Sequence, residues 1–508
     1  MELELAELLS YALREAFTPG VLMYSALGVL IGITVGAIPG LSGDIAIAIL
    51  LPIVFALSPT RALGMLIGIY KGSMFGGSIS AISFGVPGTA AAAATVEDGY
   101  KAKQKGEPKR ALLTALYSSV TGDVISSLFL IFLALPMARL ALRFGPVEFF
   151  ALYVFSLMII ALLTRGNAFK GLIAAVIGLI FGAVGMDPVA GSTRLTFGIS
   201  QLRGGLPLVP VLVGMFAISE LVIQFKKEID KLAAEKRRDM GESAESFEAY
   251  DPGKDRMSFK IYLSTLKATL IGSSMGTFIG ALPGAGSSLA GFVSYGIARR
   301  FSKHSRQFGE GSLEGVAAPE AGNSATCGSS LVPLFAFGIP GSATAALIGA
   351  ALIMQGINPG PRMMVENAPI MYTFFITLMY ASIMNLGFSR GLIPIYAKLS
   401  MIKGKYLIPV VFILAILGTY ASRNSVMDVW VLLIMGMIGY LLRKNGYPMG
   451  PLVLAFIIGP GAERALRQAL LLGRGNPLHL LSSPIAIGFY VAAVLFIVLV
   501  SLTFKEKG

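Results

Sequence analysis

The chain has 508 residues, of which 55% are hydrophobic and 14% charged, and its mean hydropathy is +0.75. A soluble domain carries about 25% charged residues because its surface must be solvated. This composition therefore excludes a soluble globular protein and predicts an all-α integral membrane protein. The net charge of +13 is typical of basic cytoplasmic loops rather than of nucleic-acid binding, and the single cysteine, Cys327, excludes an internal disulfide framework.

The predicted elements begin after an acidic N-terminus (Glu2, Glu4, Glu7), which lacks the basic region of a signal peptide and is expected outside. Apolar stretches long enough to cross a membrane core of about 30 Å are 21–38, 110–136, 145–163, 171–187, 206–225, 261–282, 366–387, 405–421, 425–442 and 480–504. Shorter stretches interrupted by Gly and Pro are 44–57, 62–84, 287–298, 324–338, 342–356 and 447–459. The shorter stretches predict broken or re-entrant helices, giving about 10–14 transmembrane segments.

Three polar segments rich in Lys and Arg, 98–110, 226–260 and 299–306, are predicted to be cytoplasmic. The segment near the chain centre is the natural boundary between two halves. The predicted domains are a first membrane repeat (1–225), a charged cytoplasmic linker (226–260), a second membrane repeat (261–480) and a C-terminal transmembrane helix and tail (481–508).

Two motifs recur in the same order in the two halves. GVLIGITVGAIPG (28–40) matches GSSMGTFIGALPG (272–284), and GVPGTAAAA (85–93) matches GIPGSATAA (338–346). The basic loop follows the second motif in the first half but lies between the motifs in the second half. The sequence therefore predicts two inverted-topology repeats with paired broken helices, which is typical of secondary transporters.

The glycines of these motifs have two possible roles. Glycines spaced by four residues share one helical face and favour close helix packing, which explains the first three glycines of each motif. Packing alone remains the alternative for the glycines of the breaks. The closing Pro-Gly stops a helix, since proline lacks an N–H group and glycine permits unusual backbone angles. A helix that stops inside a membrane exposes amides that suit a carboxylate and carbonyls that suit Na⁺.

The paired breaks and their neighbouring hydroxyls are therefore the main candidates for substrate binding. These residues are Pro39, Gly40, Leu41, Ser42, Gly43, Pro87, Gly88, Thr89, Pro283, Gly284, Ala285, Gly286, Ser287, Ser288, Pro340, Gly341 and Ser342. Asn323 and Ser324 join them as polar residues in an apolar context, because asparagine can donate to a carboxylate and coordinate a cation.

Carboxylates at membrane depth are hypotheses for ion coupling. Asp44, Asp123 and Glu320 are the candidates here, for a proton or for sodium at the broken helices. For the two aspartates, the alternative is an ion pair with Lys71 that holds helices together. For Glu320, the alternative is a helix-start acid after Pro319. No further cofactor or metal is predicted.

The motifs resemble the large membrane subunit of tripartite tricarboxylate transporters, the TctA family, over roughly 20–480. The matching segments include IYKGSMFGGSISAI (69–82), DGYKAKQKG (98–106), APEAGNSA (318–325) and INPGP (357–361). The resemblance implies an inner-membrane permease subunit for citrate or another di- or tricarboxylate, driven by a proton or sodium gradient. It also implies a periplasmic substrate-binding protein and a small membrane subunit as partners. The chain departs from the family pattern at Ser42, Gly43, Asp44, Lys71, Gly85, Asp123 and Ser324, which leaves the substrate open.

Two other classes of function share features with this sequence. A channel or pore for small anions shares the helical membrane fold and differs in lacking uphill accumulation. The run 40–43, GLSG, fits the serine motif of rhomboid-type intramembrane proteases, but the nucleophile needs an imidazole base. His304 lies in a charged loop and His479 has no supporting motif, so we predict that the chain is not an enzyme.

Overall fold

The protein is a bundle of α-helices. The structure, a computed structural model, describes residues 5–38, 41–162, 168–187, 191–235, 255, 257–399 and 404–505. Among these, six helices are long and apolar enough to cross a membrane: Pro19–Ala37, Pro108–Ala141, Leu208–Lys226, Ala368–Ile393, Val426–Lys444 and Met449–Leu472. Six shorter apolar helices accompany them. The prediction of an all-helical membrane protein is confirmed at this level.

The first half, which precedes the predicted linker 226–260, begins with α1 (Leu5–Ala16), α2 (Pro19–Ala37), α3 (Gly43–Val54) and α4 (Pro59–Phe84). A 3₁₀ turn (Ala90–Ala92) then leads into α5 (Ala93–Gln104), α6 (Pro108–Ala141), α7 (Pro146–Leu162) and α8 (Ala168–Gly182). The half ends with α9 (Leu208–Val213), a π-helical turn (Gly214–Ile218) and α10 (Ser219–Glu235).

The second half begins with α11 (Phe259–Gly280), α12 (Gly286–Phe301), α13 (Leu313–Ser324), α14 (Thr326–Ser329), α15 (Leu331–Phe337) and α16 (Ala343–Met354). It continues with α17 (Met363–Glu366), α18 (Ala368–Leu399), α19 (Gly404–Arg423), α20 (Val426–Lys444), α21 (Met449–Leu472) and α22 (Pro484–Lys505). The linker 226–260 lies mostly outside the described residues; its first part continues α10 to Glu235, and its last part begins α11.

Two predicted interruptions are wrong. The segment 62–84 lies within the continuous helix α4, and 447–459 contributes to the continuous helix α21. Helix α21 continues past Pro460, which lies inside it, because neighbouring helices can compensate a missing backbone hydrogen bond in a membrane protein. The predicted breaks at 44–57, 287–298, 324–338 and 342–356 do give short helices.

A small β-hairpin departs from the all-α prediction. Its strands, β1 (Gly185–Met186) and β2 (Thr193–Arg194), are antiparallel, with Gly185 opposite Arg194 and Met186 opposite Thr193. Arg194 Nη1 lies 2.7 Å from Glu463 Oε1 on α21, and the hydrogen bond to that carboxylate raises the pKa of the Arg194 guanidinium. Two-residue strands lack the alternating pattern from which longer strands are predicted.

Helices α2 and α4 pack with their backbones in contact. A Cβ atom added at Gly28, Gly32 or Gly36 would lie less than 3.0 Å from a backbone oxygen of α4. The oxygens belong to Met65, Ile69 and Ser73. In return, Gly68, Gly72 and Gly76 face backbone oxygens of α2. The predicted packing role of the first three glycines is confirmed, since only glycine permits this approach.

The second half repeats this contact. A Cβ added at Gly272 would lie less than 3.0 Å from the backbone oxygen of Ala318, and one at Gly276 less than 3.0 Å from that of Gly322. The α11–α13 pair is thus the counterpart of the α2–α4 pair.

The helix ends that follow also match. Gly85 closes α4 at φ 67°, and Gly338, 253 residues later, closes α15 at φ 73°. The Gly85 N–H donates to Ala81 O and the Gly338 N–H to Leu334 O, which keeps the same separation. Glycine is required at both ends because a side chain is strained at positive φ.

The same separation holds at the Pro-Gly breaks beyond those ends. The Gly88 N–H donates to Gly77 O at 3.1 Å, and the Gly341 N–H donates to Ser330 O at 3.1 Å. Gly77 and Gly88 are each 253 residues before their counterparts. The repeat seen in the sequence thus extends to individual hydrogen bonds.

The two halves are intertwined. Helix α6 of the first half packs on α11, α13, α14 and α15 of the second half, and α18 of the second half packs on α2 and α4 of the first. The helices that carry the breaks of one half are therefore supported by a long helix of the other half, and this arrangement brings the candidate site residues together.

Candidate functional site

The two breaks of the second half are joined by a backbone hydrogen bond. The Gly284 N–H donates to Gly341 O at 2.9 Å. In the first half, a Cβ added at Gly88 would lie less than 3.0 Å from Gly36 O, near the end of α2. Pro39 and Gly40 lie outside the described residues. Within each half, the second Pro-Gly break therefore lies close to the helix end at which the first break occurs.

Breaks from opposite halves also meet, at two places. At the first place, α3 packs on α16, and the Thr344 hydroxyl donates to Asp44 Oδ1. At the second place, α12 packs on the Ala90–Ala92 turn, and Gly291 faces Ala91 O. At the first place, the helix after the first break of the first half (α3) meets the helix after the second break of the second half (α16). At the second place, the helix after the first break of the second half (α12) meets the turn after the second break of the first half (Ala90–Ala92).

The two places differ in how their helix N-termini are satisfied. At the α3–α16 place, Ser342 Oγ accepts the Ala345 N–H as an N-cap, and Asp44 puts a carboxylate in the first turn of α3. At the α12 place, neither Ala285 nor Thr89 makes a side-chain cap. Ser42 likewise makes no side-chain cap on α3, so the difference is the Asp44 carboxylate. Helix N-terminal amides attract anions, and the first turn of α12 carries no acidic side chain, so the α12 place can accommodate an anion.

Thr89 is the notable side chain at the α12 place. Its Oγ1 atom is buried without a hydrogen-bond partner and lies beside Gly77 of α4. Its counterpart Ser342, by contrast, donates to Ser330 Oγ at 3.3 Å. A buried hydroxyl without a partner is costly, so the Thr89 hydroxyl is suited to a polar group of a ligand.

Lys71 and Asp123 form a buried ion pair between α4 and α6. Lys71 Nζ lies 2.7 Å from Asp123 Oδ1 and 2.8 Å from Oδ2, and also donates to Ser127 and Ser382. The Ser382 hydroxyl donates to Asp123 Oδ2 at 2.7 Å. Both charged side chains are nearly inaccessible, at 0% and 4% exposed. This geometry matches the predicted alternative in which Asp123 holds helices together.

Helix α4 of the first half exchanges hydrogen bonds with residues of the second half. Tyr70 Oη lies 3.1 Å from Ser330 Oγ, and Asn323 Nδ2 donates to Met74 O at 3.4 Å. Tyr70 and Asn323 are again 253 residues apart, so repeat-equivalent positions each contact the opposite half. The sequence analysis identified Asn323 but missed Tyr70, although the repeat offset would have found it.

The remaining candidates lie in the same interior. Ser324 is 1% exposed and lies 2.6 Å from Ser119 Oγ of α6. Leu41 is buried at the start of α3 and Gly284 lies against Ile160 of α7. Pro87, Pro283 and Pro340 stand in the breaks, Ser42 and Gly43 begin α3, and Gly286, Ser287 and Ser288 begin α12.

Asp98 begins the charged segment 98–110, whose composition predicts a position at the surface, but the structure buries it. Its carboxylate is 0% exposed and accepts backbone N–H groups of Gly309, Gly311 and Ser312 at 2.7–3.0 Å. The Tyr295 hydroxyl donates to Asp98 Oδ2 at 2.9 Å. Backbone amides of the loop 302–312 converge on this single carboxylate. Asp98 therefore links α5 of the first half to the second half.

We expect Asp98→Asn to lower the free energy of unfolding by about 2 kcal/mol or more, because several hydrogen bonds to a charged acceptor are lost. Limited proteolysis of the loop 302–312 together with thermal unfolding in detergent measures the effect. Glu310→Gln is the control in the same loop, since its side chain is 66% exposed and such pairs contribute little. Equal stability of the two variants would contradict the assignment.

Comparison with known proteins identifies the family to which the chain belongs. Residues 22–454 match the family model described as the tripartite tricarboxylate transporter TctA family. The chain belongs to the TctA family. The resemblance predicted from the sequence motifs is confirmed, and this TctA-family protein is a multi-pass membrane protein.

Two relatives of this TctA-family protein come from Agrobacterium vitis. One, described as an uncharacterized 52.8 kDa protein in the TAR-I ttuC' 3'region, is 35% identical over 485 residues, covering 95% of this chain and 94% of the relative. Another, described as an uncharacterized protein in the TAR-II ttuC' 3'region, is 34% identical over 234 residues, covering 46% of this chain and 97% of the relative. No solved structure matches the chain.

Proposed function

We propose that the chain is the permease subunit of a secondary active transporter for di- or tricarboxylates such as citrate, located in the inner membrane and driven by a proton or sodium gradient. The convergence of breaks from opposite halves is the observation that supports this proposal. It follows the arrangement in which broken helices of two repeats form a transport site near the bilayer midplane. A periplasmic substrate-binding protein and a small membrane subunit complete the proposed complex.

The substrate carboxylate is proposed to bind where α12 meets the Ala90–Ala92 turn. Helix α12 begins at Gly286 without a side-chain cap, and the Thr89 hydroxyl has no hydrogen-bond partner in the protein. Both can supply donors there, and helix N-termini favour negative charge. At the equivalent α3–α16 place, Asp44 already supplies a carboxylate. Since like charges repel in a low dielectric, we propose one substrate site rather than two.

Alternating access is proposed to use matched contacts at two helix ends. Gln355 Nε2, at the end of α16, donates to Val54 O and Leu57 O at 3.2 and 3.0 Å, after α3. Asp98 makes the corresponding contact between α5 and the loop after α12. If the repeats are inverted, these contacts lie on opposite membrane sides and close the site alternately.

A channel for small anions and an intramembrane protease are the alternative functions. For the protease, Ser42 would need an imidazole within hydrogen-bond range. His304 lies instead beside Glu314, with Nδ1 at 3.7 Å from Oε1, and His479 lies in the 3₁₀ turn Pro477–Leu481 before α22. Neither position supports proteolysis. A channel is distinguished from a carrier by transport kinetics.

Counterflow in proteoliposomes tests the proposal. The chain is reconstituted with the small membrane subunit and the substrate-binding protein, and liposomes preloaded with unlabelled carboxylate receive a trace of the same labelled compound. We expect transient accumulation of label above its external concentration, because a carrier exchanges one substrate for another. Simple equilibration without overshoot would contradict a carrier and favour the channel.

Thr89→Val is expected to raise the KM for carboxylate uptake about tenfold or more, because one hydrogen bond to a charged group is lost. The variant retains the shape of the side chain, and its melting temperature should not fall, since Thr89 Oγ1 has no partner within the protein. Thr34→Val is the matched control, because that hydroxyl donates to its own helix at Leu30 O. An unchanged KM for Thr89→Val would contradict the proposed substrate site.

A further inference from the structure

Three buried oxygen atoms between α4 and α13 lack hydrogen-bond partners. They are Ser78 Oγ, Glu320 Oε2 and Asn323 Oδ1. All three residues are 0% exposed. An unsatisfied polar group in a protein interior is costly, and three of them on one helix interface indicate that a further group belongs there.

The three residues lie where α4 and α13 contact each other. Asn323 donates Nδ2–H to Met74 O, which turns its Oδ1 away from that carbonyl. Ser78 lies one turn after Met74, and Glu320 lies one turn before Asn323, so both fall on the facing sides of their helices. The Ser78 hydroxyl accordingly lies beside the Glu320 carboxyl group.

Glu320 lacks a compensating positive charge. The Thr95 hydroxyl donates to its Oε1 atom, and its Oε2 atom has no hydrogen-bond partner. Among the described residues, no ion pair includes Glu320. A buried carboxylate without a cation must either take up a proton or bind a cation.

The other two carboxylates considered for ion coupling are less available. Asp123 is engaged on both oxygens by Lys71, with Ser382 as a further donor. Asp44 accepts the Thr344 hydroxyl at the junction of α3 and α16. Glu320 therefore combines full burial, a free oxygen and the absence of a charged partner within the described chain.

We infer that Ser78, Glu320 and Asn323 form a binding site for Na⁺, with Thr95 positioning the carboxylate. The donor set is a hydroxyl, a carboxylate and an amide oxygen, which suits a hard cation. A single carboxylate balances a single positive charge and disfavours a divalent ion. The inference rests on the proposed function, because it assigns the coupling ion of the same transporter.

The position of this site explains how an ion can affect transport. Ser78 and Thr95 belong to the first half, and Glu320 and Asn323 belong to the second half. A bound Na⁺ therefore joins α4 of the first half to α13 of the second half by ligands from each. Because Gly77, next to Ser78, contacts Thr89, the ion site adjoins the proposed substrate site.

Na⁺-dependent thermal stabilisation of the purified full chain in detergent tests the inference. NaCl is titrated against choline chloride at constant ionic strength and constant pH. A ligand that binds the folded state raises its stability as the ligand concentration increases. The melting temperature should therefore rise with the Na⁺ concentration and should not rise with the choline concentration. Binding of radioactive ²²Na⁺ to the same preparation gives an independent reading.

Two variants and one control define the site. Glu320→Gln should abolish the Na⁺-specific increase, whereas Glu310→Gln, on the exposed loop, should keep it. Ser78→Ala should shift the Na⁺ midpoint about tenfold higher or more, since one ligand is lost. A merely structural role of the hydroxyl would change the stability without Na⁺ but would not move the midpoint.

The outcomes separate this inference from the proposed function. If Ser78→Ala leaves the Na⁺ midpoint unchanged, or if stability follows pH while Na⁺ and choline act alike, the Na⁺ site is refuted even when counterflow succeeds. If the Na⁺ effect depends on Ser78 and Glu320 but carboxylate counterflow is absent, the site stands and the transport proposal fails.

Discussion

Lys71→Met is expected to lower the free energy of unfolding by about 3–5 kcal/mol, because it leaves the buried Asp123 carboxylate without its counter-ion. The pair lies between α4 and α6, with Nζ–Oδ distances of 2.7 and 2.8 Å. The Ser382 hydroxyl alone then remains on the carboxylate. Pulse proteolysis in detergent micelles measures the loss of stability.

The double variant Lys71→Met/Asp123→Val is the decisive control. Replacing both members of a buried ion pair by apolar residues is often neutral or stabilising, so it should recover most of the loss seen in Lys71→Met. It should also keep the Na⁺-dependent stabilisation, because the pair is assigned to helix packing and Glu320 to the ion. A double variant as unstable as the single one, or one that has lost its Na⁺ response, would contradict the packing role.

Gly276→Ala is expected to have the second large effect, a loss of about 3 kcal/mol in the free energy of unfolding, because overpacking a rigid contact forces helices apart. The added Cβ would lie less than 3.0 Å from the backbone oxygen of Gly322. Backbone atoms cannot rotate away as a side chain would, so α11 and α13 must separate. The yield of monodisperse protein and its melting temperature report the change.

Gly296→Ala is the matched substitution for this test. Gly296 also lies inside a helix, α12, but an added Cβ there has open space within 4 Å. Alanine is favoured over glycine in helices by up to about 1 kcal/mol, so the variant should be as stable as the parent or more stable. Equal loss in both variants would show that the glycine contact is not the cause.

The repeat and its packing could be predicted because they depend on local patterns. Glycines at four-residue spacing occupy one face of a helix wherever that helix packs, and Gly28 and Gly272 do make the expected contacts. The Pro-Gly breaks are similarly local, and Gly341 lies in a break as predicted. The Lys71–Asp123 pair was foreseen as one alternative, because opposite charges at membrane depth tend to pair.

The contacts that define the site could not be predicted in the same way. Thr95 reaches Glu320 across 225 residues, and Tyr70 reaches Ser330 across 260 residues. Periodicity shows which face of a helix is buried, but it does not show which other helix covers that face. The packing of α6 and α18 against the opposite half determines those partners. The basic residues around Asp98 gave no indication that backbone amides of the loop 302–312 bind its carboxylate.

The central claim is that the carboxylate binds where breaks of the two halves meet at Thr89 and α12. Alkylation of Thr89→Cys in a Cys327→Ala background, with and without a carboxylate that shows counterflow, tests this claim most directly. We predict that substrate slows labelling at position 89 and leaves labelling at a Gln307→Cys control unchanged. Equal labelling rates at position 89 with and without substrate, in a preparation that still transports, would contradict the account.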